Sequence, residues 1–97
     1  MRYEFHPEAL EEYNEASLHY SRKEPGLDLR FIVAVETAIE RTLQDPARYR
    51  CFDEDVRRCL TRVFPYAILY TIEEDYILIV AVAHCSREPG YWKHRVP

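Results

Sequence analysis

The stretch that most constrains the fold is the run YILIVAVAH at residues 76–84, which is apolar at almost every position. Successive side chains of a β-strand point to opposite faces of the sheet, so an apolar run without alternation indicates burial on both faces. The run is also rich in Val and Ile, which favour strands. We therefore predict that residues 76–84 form a central strand covered on both sides.

Two more strands are predicted immediately before this run. They are VRRCLTRV at 56–63 and PYAILYTI at 65–72. In the second segment, the side chains of Tyr66, Ile68, Tyr70 and Ile72 alternate with those of Ala67, Leu69 and Thr71. The acidic segment EED at 73–75 is predicted to be the turn of a bulged or longer hairpin, since it lacks the Asn-Gly signature of a two-residue turn. A short first strand is indicated by RYEFH at 2–6.

Two helices are predicted between the first strand and the other three. Helix 1 begins at Pro7, a residue that suits the first helical position because no intrahelical bond is lost there. Its apolar residues share one face, namely Ala9, Tyr13, Ala16 and Tyr20. The segment EPG at 24–26 ends it, and helix 2 runs from about 27 to 44, where Asp45-Pro46 ends it. Because the connection between the two helices is so short, we predict that they form an antiparallel helical hairpin.

This order of elements predicts an α+β fold in two layers. A short N-terminal strand and a helical hairpin are followed by a three-stranded antiparallel meander, so the helices group on one side of the sheet. A length of 97 residues predicts one domain, spanning 1–97. The first part of the chain lacks the apolar region of a signal peptide, and no 18-residue apolar stretch could span a membrane. We expect a cytoplasmic protein with reduced cysteines, since three unpatterned Cys do not describe a disulfide framework.

Charge is distributed unevenly along the chain, whose formal net charge is −4. Residues 1–45, which contain the two predicted helices, carry ten acids and five bases, whereas residues 84–97 carry three bases and one acid. The whole chain would repel nucleic acid at long range, yet its basic segments could still form a local patch.

One candidate site is a group of arginines on the first strand of the meander. Arg58 and Arg62 are expected on one face and Arg57 on the other, with Tyr66 of the next strand near Arg62. Such a group can bind phosphate through bidentate hydrogen bonds. Alternatively, it forms a solvated face or pairs with the neighbouring acids Asp53, Glu54 and Asp55.

A second candidate site follows the central strand, in the segment HCSREPGYWKHR at 84–95. His84 could serve as a general acid or base, and Arg87 could bind phosphate. Tyr91 and Trp92 could stack on a base, or they could cover the open end of the sheet. Neighbouring residues on a strand point apart, so His84 and Cys85 are not expected to share a metal ion, and we predict neither metal nor cofactor.

These segments together resemble the RelE/ParE superfamily of toxins from bacterial type II toxin–antitoxin modules. The resemblance is carried over almost the whole length by FHPEALEEYNEASLHY, the PG between the helices, RTLQDPARY, VRR, FPYAILYTIEEDYILIVAVAH and SREPGYWKHR. It implies the same strand–two helices–three strands order and a toxin held inactive by a cognate antitoxin. One branch of the superfamily cuts mRNA on the ribosome, and another poisons DNA gyrase without being an enzyme.

The sequence is more similar to the ParE or plasmid-stabilisation branch than to the mRNA-cutting branch. Ala67 stands where the mRNA-cutting toxins commonly have a basic residue, and Lys occurs only at 23 and 93. The resemblance therefore implies a target such as gyrase, contacted by Arg57, Arg62, Arg87, Tyr91, Trp92 and Arg95. If the protein instead cleaves mRNA, the catalytic set is Arg57, Arg62, His84, Arg87 and Tyr66, with no metal; a third possibility is a member that only binds antitoxin.

Two geometric expectations follow. The acidic hairpin is expected to favour a basic antitoxin segment. The end of the chain is expected to lie against Arg57 or Arg62, so that these arginines and the segment from Arg87 to Arg95 form a single cationic rim.

Overall fold

A mixed five-stranded sheet with both helices packed on one face makes up the protein, and the computed structural model describes all of residues 1–97. The strands are β1 (Arg2–Phe5), β2 (Cys51–Asp53), β3 (Val56–Leu60), β4 (Tyr66–Ile72) and β5 (Tyr76–His84). The helices are α1 (Pro7–Lys23) and α2 (Leu27–Gln44), and single 3₁₀ turns lie at Pro46–Arg48 and Lys93–Arg95. The predicted α+β fold, with its helical hairpin and antiparallel meander, is confirmed.

The helix ends follow the sequence signals closely. Pro7 occupies the first turn of α1, and the side chain of His6 accepts a hydrogen bond from the backbone N–H of Glu8 at 3.1 Å. Gly26 has a φ of 85°, a left-handed conformation that glycine adopts without steric cost. That conformation turns the chain from α1 into α2.

The apolar run at 76–84 forms β5, which is an interior strand buried on both faces, as predicted, although β4 occupies the middle of the sheet. β5 pairs antiparallel with β4 along most of its length and parallel with β1 on its other side, in the order β1-β5-β4-β3-β2. A main core lies between the helices and the sheet, and a smaller one lies on the opposite face around Trp92. Because β5 contributes to both cores, it carries apolar side chains on both faces.

Two strand predictions need correction. β3 ends at Leu60 rather than at residue 63, because the hydroxyl of Thr61 donates to the carbonyls of Phe64 and Tyr66 and Val63 takes a left-handed φ of 73°. Arg62 therefore lies in a turn. No strand was predicted between the second helix and residue 56, but Cys51–Asp53 forms β2, an edge strand of three residues that is too short to show a pattern.

The edge of β5 is only partly covered by a neighbouring strand. β1 pairs with residues 76–79 and no strand continues beside residues 80–84 on that side. Backbone groups of a buried strand need partners, so this edge must be satisfied by something other than a strand. Neither helix has both the length and the apolar character needed to cross a bilayer.

Candidate functional site

The segment after β5, residues 85–97, crosses the sheet face opposite the helices. Trp92 is only 4% exposed and packs in the smaller core with Leu69 and Val80. Its ring also meets Phe52 of β2 edge-on, with 5.8 Å between centroids. The indole therefore covers the sheet, and little of it is left for stacking on a partner.

Glu12 of α1 and Arg95 near the end of the chain form hydrogen bonds with the backbone groups of the uncovered β5 edge. Its carboxylate accepts hydrogen bonds from the Val82 backbone N–H at 3.1 Å and from Arg95 Nη1 at 2.9 Å. Arg95 Nη1 also donates to the Val80 carbonyl at 3.1 Å, and the Tyr91 hydroxyl donates to Glu12 at 2.7 Å. Two side chains thus supply, at Val80 and Val82, the hydrogen bonds that another strand would supply.

The electrostatics of this contact favour the charged pair. Burial alone lowers the pKa of Arg95, but the hydrogen bond and charge of Glu12 outweigh burial and raise it. Burial, followed by the hydrogen bond to Glu12, raises the pKa of Tyr91 well above its usual range. Nearby, the hydrogen bond from His94 lowers the pKa of Glu8. Arg95 is consequently a structural residue, 9% exposed, rather than part of a free cationic surface.

A groove of about 330 Å³, which we call the tail-face groove, lies between residues 84–92 and the sheet. Its lining includes Phe52, Arg58, Leu60, His84, Arg87 and Trp92. Two exposed cations flank it: the Arg58 guanidinium lies 5.3 Å from the centre of the Phe52 ring, and the Arg87 guanidinium lies 3.9 Å from the centre of the Tyr91 ring. The groove therefore contains two guanidinium groups, each lying over an aromatic ring, beside apolar surface.

A second depression, the edge cleft, opens on the other side of the same strand end. It has a volume of about 220 Å³ and brings together three of the predicted catalytic residues, Tyr66, His84 and Arg87. The rings of Tyr66 and His84 meet edge-on at 5.1 Å, and Nδ1 of His84 lies 3.0 Å from the Ser86 backbone N–H. With Nδ1 accepting that bond, the proton of the neutral ring sits on Nε2.

The edge cleft also contains groups that the candidate catalytic set lacked. Glu12, Glu15 and His19 line it from α1. Burial raises the pKa of Tyr66, so its phenol stays protonated. The cleft thus has groups that can exchange protons, but its carboxylates would oppose a phosphate.

The end of the chain does approach Arg57, since Val96 and Pro97 line one depression with it. The predicted single cationic rim is nevertheless wrong, because neither Arg57 nor Arg62 lines the tail-face groove. Arg57 shares the helix-facing side of β3 with Cys59, and its guanidinium donates to the carbonyls of Ala47 and Tyr49. Its partner across the ladder is Tyr70, whereas His84 pairs with Tyr66, about 13 Å further along β4.

Arg62 is displaced for a different reason. Because β3 ends at Leu60, Arg62 leaves the strand and faces α2 beside Arg30 and Arg41, not the face of Arg58. Tyr66 instead packs with the aromatic rings of Tyr20 and Phe31 in the main core. Of the strand arginines, Arg58 is the one that joins the tail-face groove, although the predicted target-contacting and catalytic residues did not include it.

Glu12 was also missed, although the sequence carried a signal for it. Ala9, Tyr13 and Ala16 define the buried face of α1, and Glu12 lies on that face three residues after Ala9 and four before Ala16. A carboxylate within a buried helical stripe needs a partner, because burying an unpaired charge is costly. The partner is Arg95, and only the fold reveals it.

The structure is thus a helical hairpin packed on one face of a mixed sheet, with the end of the chain folded over the other face. The family described as the ParE toxin of the type II toxin–antitoxin system parDE matches residues 3–89. The chain belongs to this family of toxins, which confirms the resemblance inferred from the sequence.

Comparison with solved structures agrees on the fold. A chain from the chromosomal ParDE toxin–antitoxin system of P. aeruginosa superimposes with a TM-score of 0.76 at 14% sequence identity, covering 87% of this chain and 95% of that one. A comparison with curated proteins finds no match.

Proposed function

We propose that the protein is a cytoplasmic toxin that inhibits growth by binding a macromolecular target, with DNA gyrase as the first candidate, and that a cognate antitoxin neutralises it. Membership of the ParE toxin family supports the toxin role. The P. aeruginosa structure is described as a chromosomal ParDE toxin–antitoxin system, which supports an antitoxin partner here.

The contacts that the arginine side chains make are the observation that supports a toxin acting by binding rather than by catalysis. Arg95 is paired with Glu12, and Arg57 donates to backbone carbonyls, so neither is free to neutralise a phosphate. Arg58, which forms no ion pair, and Arg87, which is exposed and has its nearest carboxylate, that of Glu12, at 3.9 Å, lie beside apolar groove surface. Arginine next to aromatic and aliphatic surface is typical of protein interfaces, where it combines charge with packing.

Endoribonuclease activity is the second candidate, and the edge cleft is the observation that favours it. For His84 to accept the proton of a 2′-hydroxyl, Nδ1 would have to exchange its bond from the Ser86 N–H for one from that hydroxyl, while Arg87 could bind the phosphate. The carboxylates of Glu12 and Glu15 oppose this role by repelling the RNA backbone at the same position.

A gyrase supercoiling assay tests the proposal. Wild-type protein should inhibit supercoiling and trap cleaved DNA. The double variant Arg58→Glu/Arg87→Glu should lose that inhibition, because both cations of the tail-face groove are reversed. The matched control Arg22→Glu makes the same type of charge change at the end of α1, away from the groove, and should inhibit like wild type.

The same preparations added to a translating ribosome extract separate the alternatives. Intact mRNA together with gyrase inhibition supports the proposal. Cleaved mRNA that becomes intact with His84→Ala would establish the nuclease instead. Activity in neither assay, with antitoxin binding retained, would identify a family member that only binds its antitoxin.

A further inference from the structure

A groove between α2 and the β3–β4 turn belongs to neither the tail-face groove nor the edge cleft. It has a volume of about 250 Å³, and we call it the arginine groove. Its lining includes Arg30, Val33, Arg41, Arg62, Val63 and Phe64. Three guanidinium groups from two different elements therefore border a single depression.

None of these three arginines has a carboxylate within 4.0 Å, although the protein carries a net negative charge. Arg41 Nη2 donates to the Leu60 carbonyl at 2.9 Å, but its Nε is buried and has no hydrogen-bond partner. A buried donor without a partner costs about 1–3 kcal/mol. The groove therefore holds positive charge that no carboxylate of the chain neutralises.

The walls of the arginine groove are apolar and exposed. Val33 is 63% exposed, and Val63, at 91%, is among the most exposed residues of the chain. Val63 also has a φ of 73°, which is unusual for a β-branched residue. Backbone strain of this kind clusters at functional sites, and here it holds an aliphatic side chain out beside three cations.

We propose that the arginine groove binds an acidic, apolar segment of the antitoxin, an inference that rests on the proposed toxin–antitoxin function. One carboxylate of that segment is held by the guanidinium groups, and an adjacent aliphatic side chain packs on Val33 and Val63. Charge complementarity and the apolar walls select this occupant. An extended nucleic acid fits less well, because α2 also carries Asp28, Glu36 and Glu40.

The sequence led us to expect a basic antitoxin segment, whereas the arginine groove fits an acidic one. The total charge of the two helices favours a basic segment, but the arginine groove is a cationic part of an acidic hairpin. The partner segment that fits it is therefore acidic, and its other charges can be basic where they lie over the remaining hairpin surface.

The test is a calorimetric titration of the full-length toxin with the purified antitoxin encoded beside its gene. The variants are Arg30→Glu and Arg62→Glu, both exposed, with Arg22→Glu as the matched control on α1. Arg41 is left unchanged because its bond to Leu60 contributes to the fold. Loss of a charge-assisted carboxylate contact predicts that each groove variant weakens binding about tenfold to a hundredfold, with unfolding temperatures unchanged.

The possible results separate the two proposals. If wild type binds the antitoxin and the groove variants bind equally well, the arginine groove is not the docking site, and the toxin–antitoxin function still stands. If wild type does not bind the antitoxin at all, the proposed function itself fails, and this inference fails with it. If the groove variants instead lose affinity for a single-stranded RNA oligomer and keep the antitoxin, the groove is a nucleic-acid site and the inference is overturned.

Discussion

Glu12 and Arg95 form an ion pair 83 positions apart in sequence, with 2.9 Å between the carboxylate and the guanidinium. The pair joins α1 to the end of the chain at the part of the β5 edge that β1 leaves uncovered. Through it, residues 85–97 are held against the sheet, and the tail-face groove keeps its shape.

Glu12→Ala is predicted to destabilise the protein by about 3 kcal/mol, because it leaves the Arg95 charge buried without its partner. It also removes the acceptor for the Val82 N–H and the Tyr91 hydroxyl. The measurement is urea-induced unfolding followed by circular dichroism.

The matched control for this change is Glu15→Ala, on the same helix, where the exposed carboxylate makes no hydrogen bond or ion pair. It should change stability by less than about 0.5 kcal/mol. Amide hydrogen exchange adds a local measurement, since the Val82 amide should be protected in wild type and exposed to exchange in Glu12→Ala. Equal stability losses in the two variants would contradict the role given to Glu12.

Tyr91→Phe is predicted to reduce the loss of stability at alkaline pH. The pKa of Tyr91 is raised in the folded state, so its contribution is fully present below the unfolded value of about 10 and is lost as the pH rises above that value. Phenylalanine does not ionise, so the variant should show a shallower decline. Urea unfolding from about pH 8 to about pH 11 measures this.

Some alkaline destabilisation should remain in Tyr91→Phe, because burial also raises the pKa of Tyr13 and Tyr70. At neutral pH the variant should lose about 1 kcal/mol, the contribution of one hydrogen bond. A decline above about pH 10 as steep as that of wild type would show that Tyr91 ionises as easily in the folded protein as in the unfolded chain.

Val63→Gly is predicted to stabilise the protein by about 0.5–1 kcal/mol, because glycine relieves the left-handed strain at an exposed position where little packing is lost. Val33→Gly, the same change in the exposed helical face of α2, should instead destabilise by about 0.5 kcal/mol. Thermal unfolding distinguishes the two signs. Destabilisation by both variants would mean that the Val63 backbone is not strained.

Much of the fold could be predicted from local pattern, because β5, the helical hairpin and the helix ends are each determined by nearby residues. The candidate site was harder, because the positions of Arg57 and Arg62 depend on where β3 ends. β3 ends where the Thr61 hydroxyl donates hydrogen bonds to the carbonyls of Phe64 and Tyr66, and no periodic pattern in the sequence predicts such a contact. Glu12 and Arg95 meet only because β1 is shorter than β5, which is a property of the whole sheet.

Growth after induced expression tests the central claim most directly. Wild-type protein is predicted to stop growth, co-expression of the antitoxin should restore it, and Arg22→Glu should remain as toxic as wild type. Arg58→Glu/Arg87→Glu should permit growth while it still binds the antitoxin with wild-type affinity. Arrest by that double variant at the same expression level, or no arrest by wild type, would contradict the account.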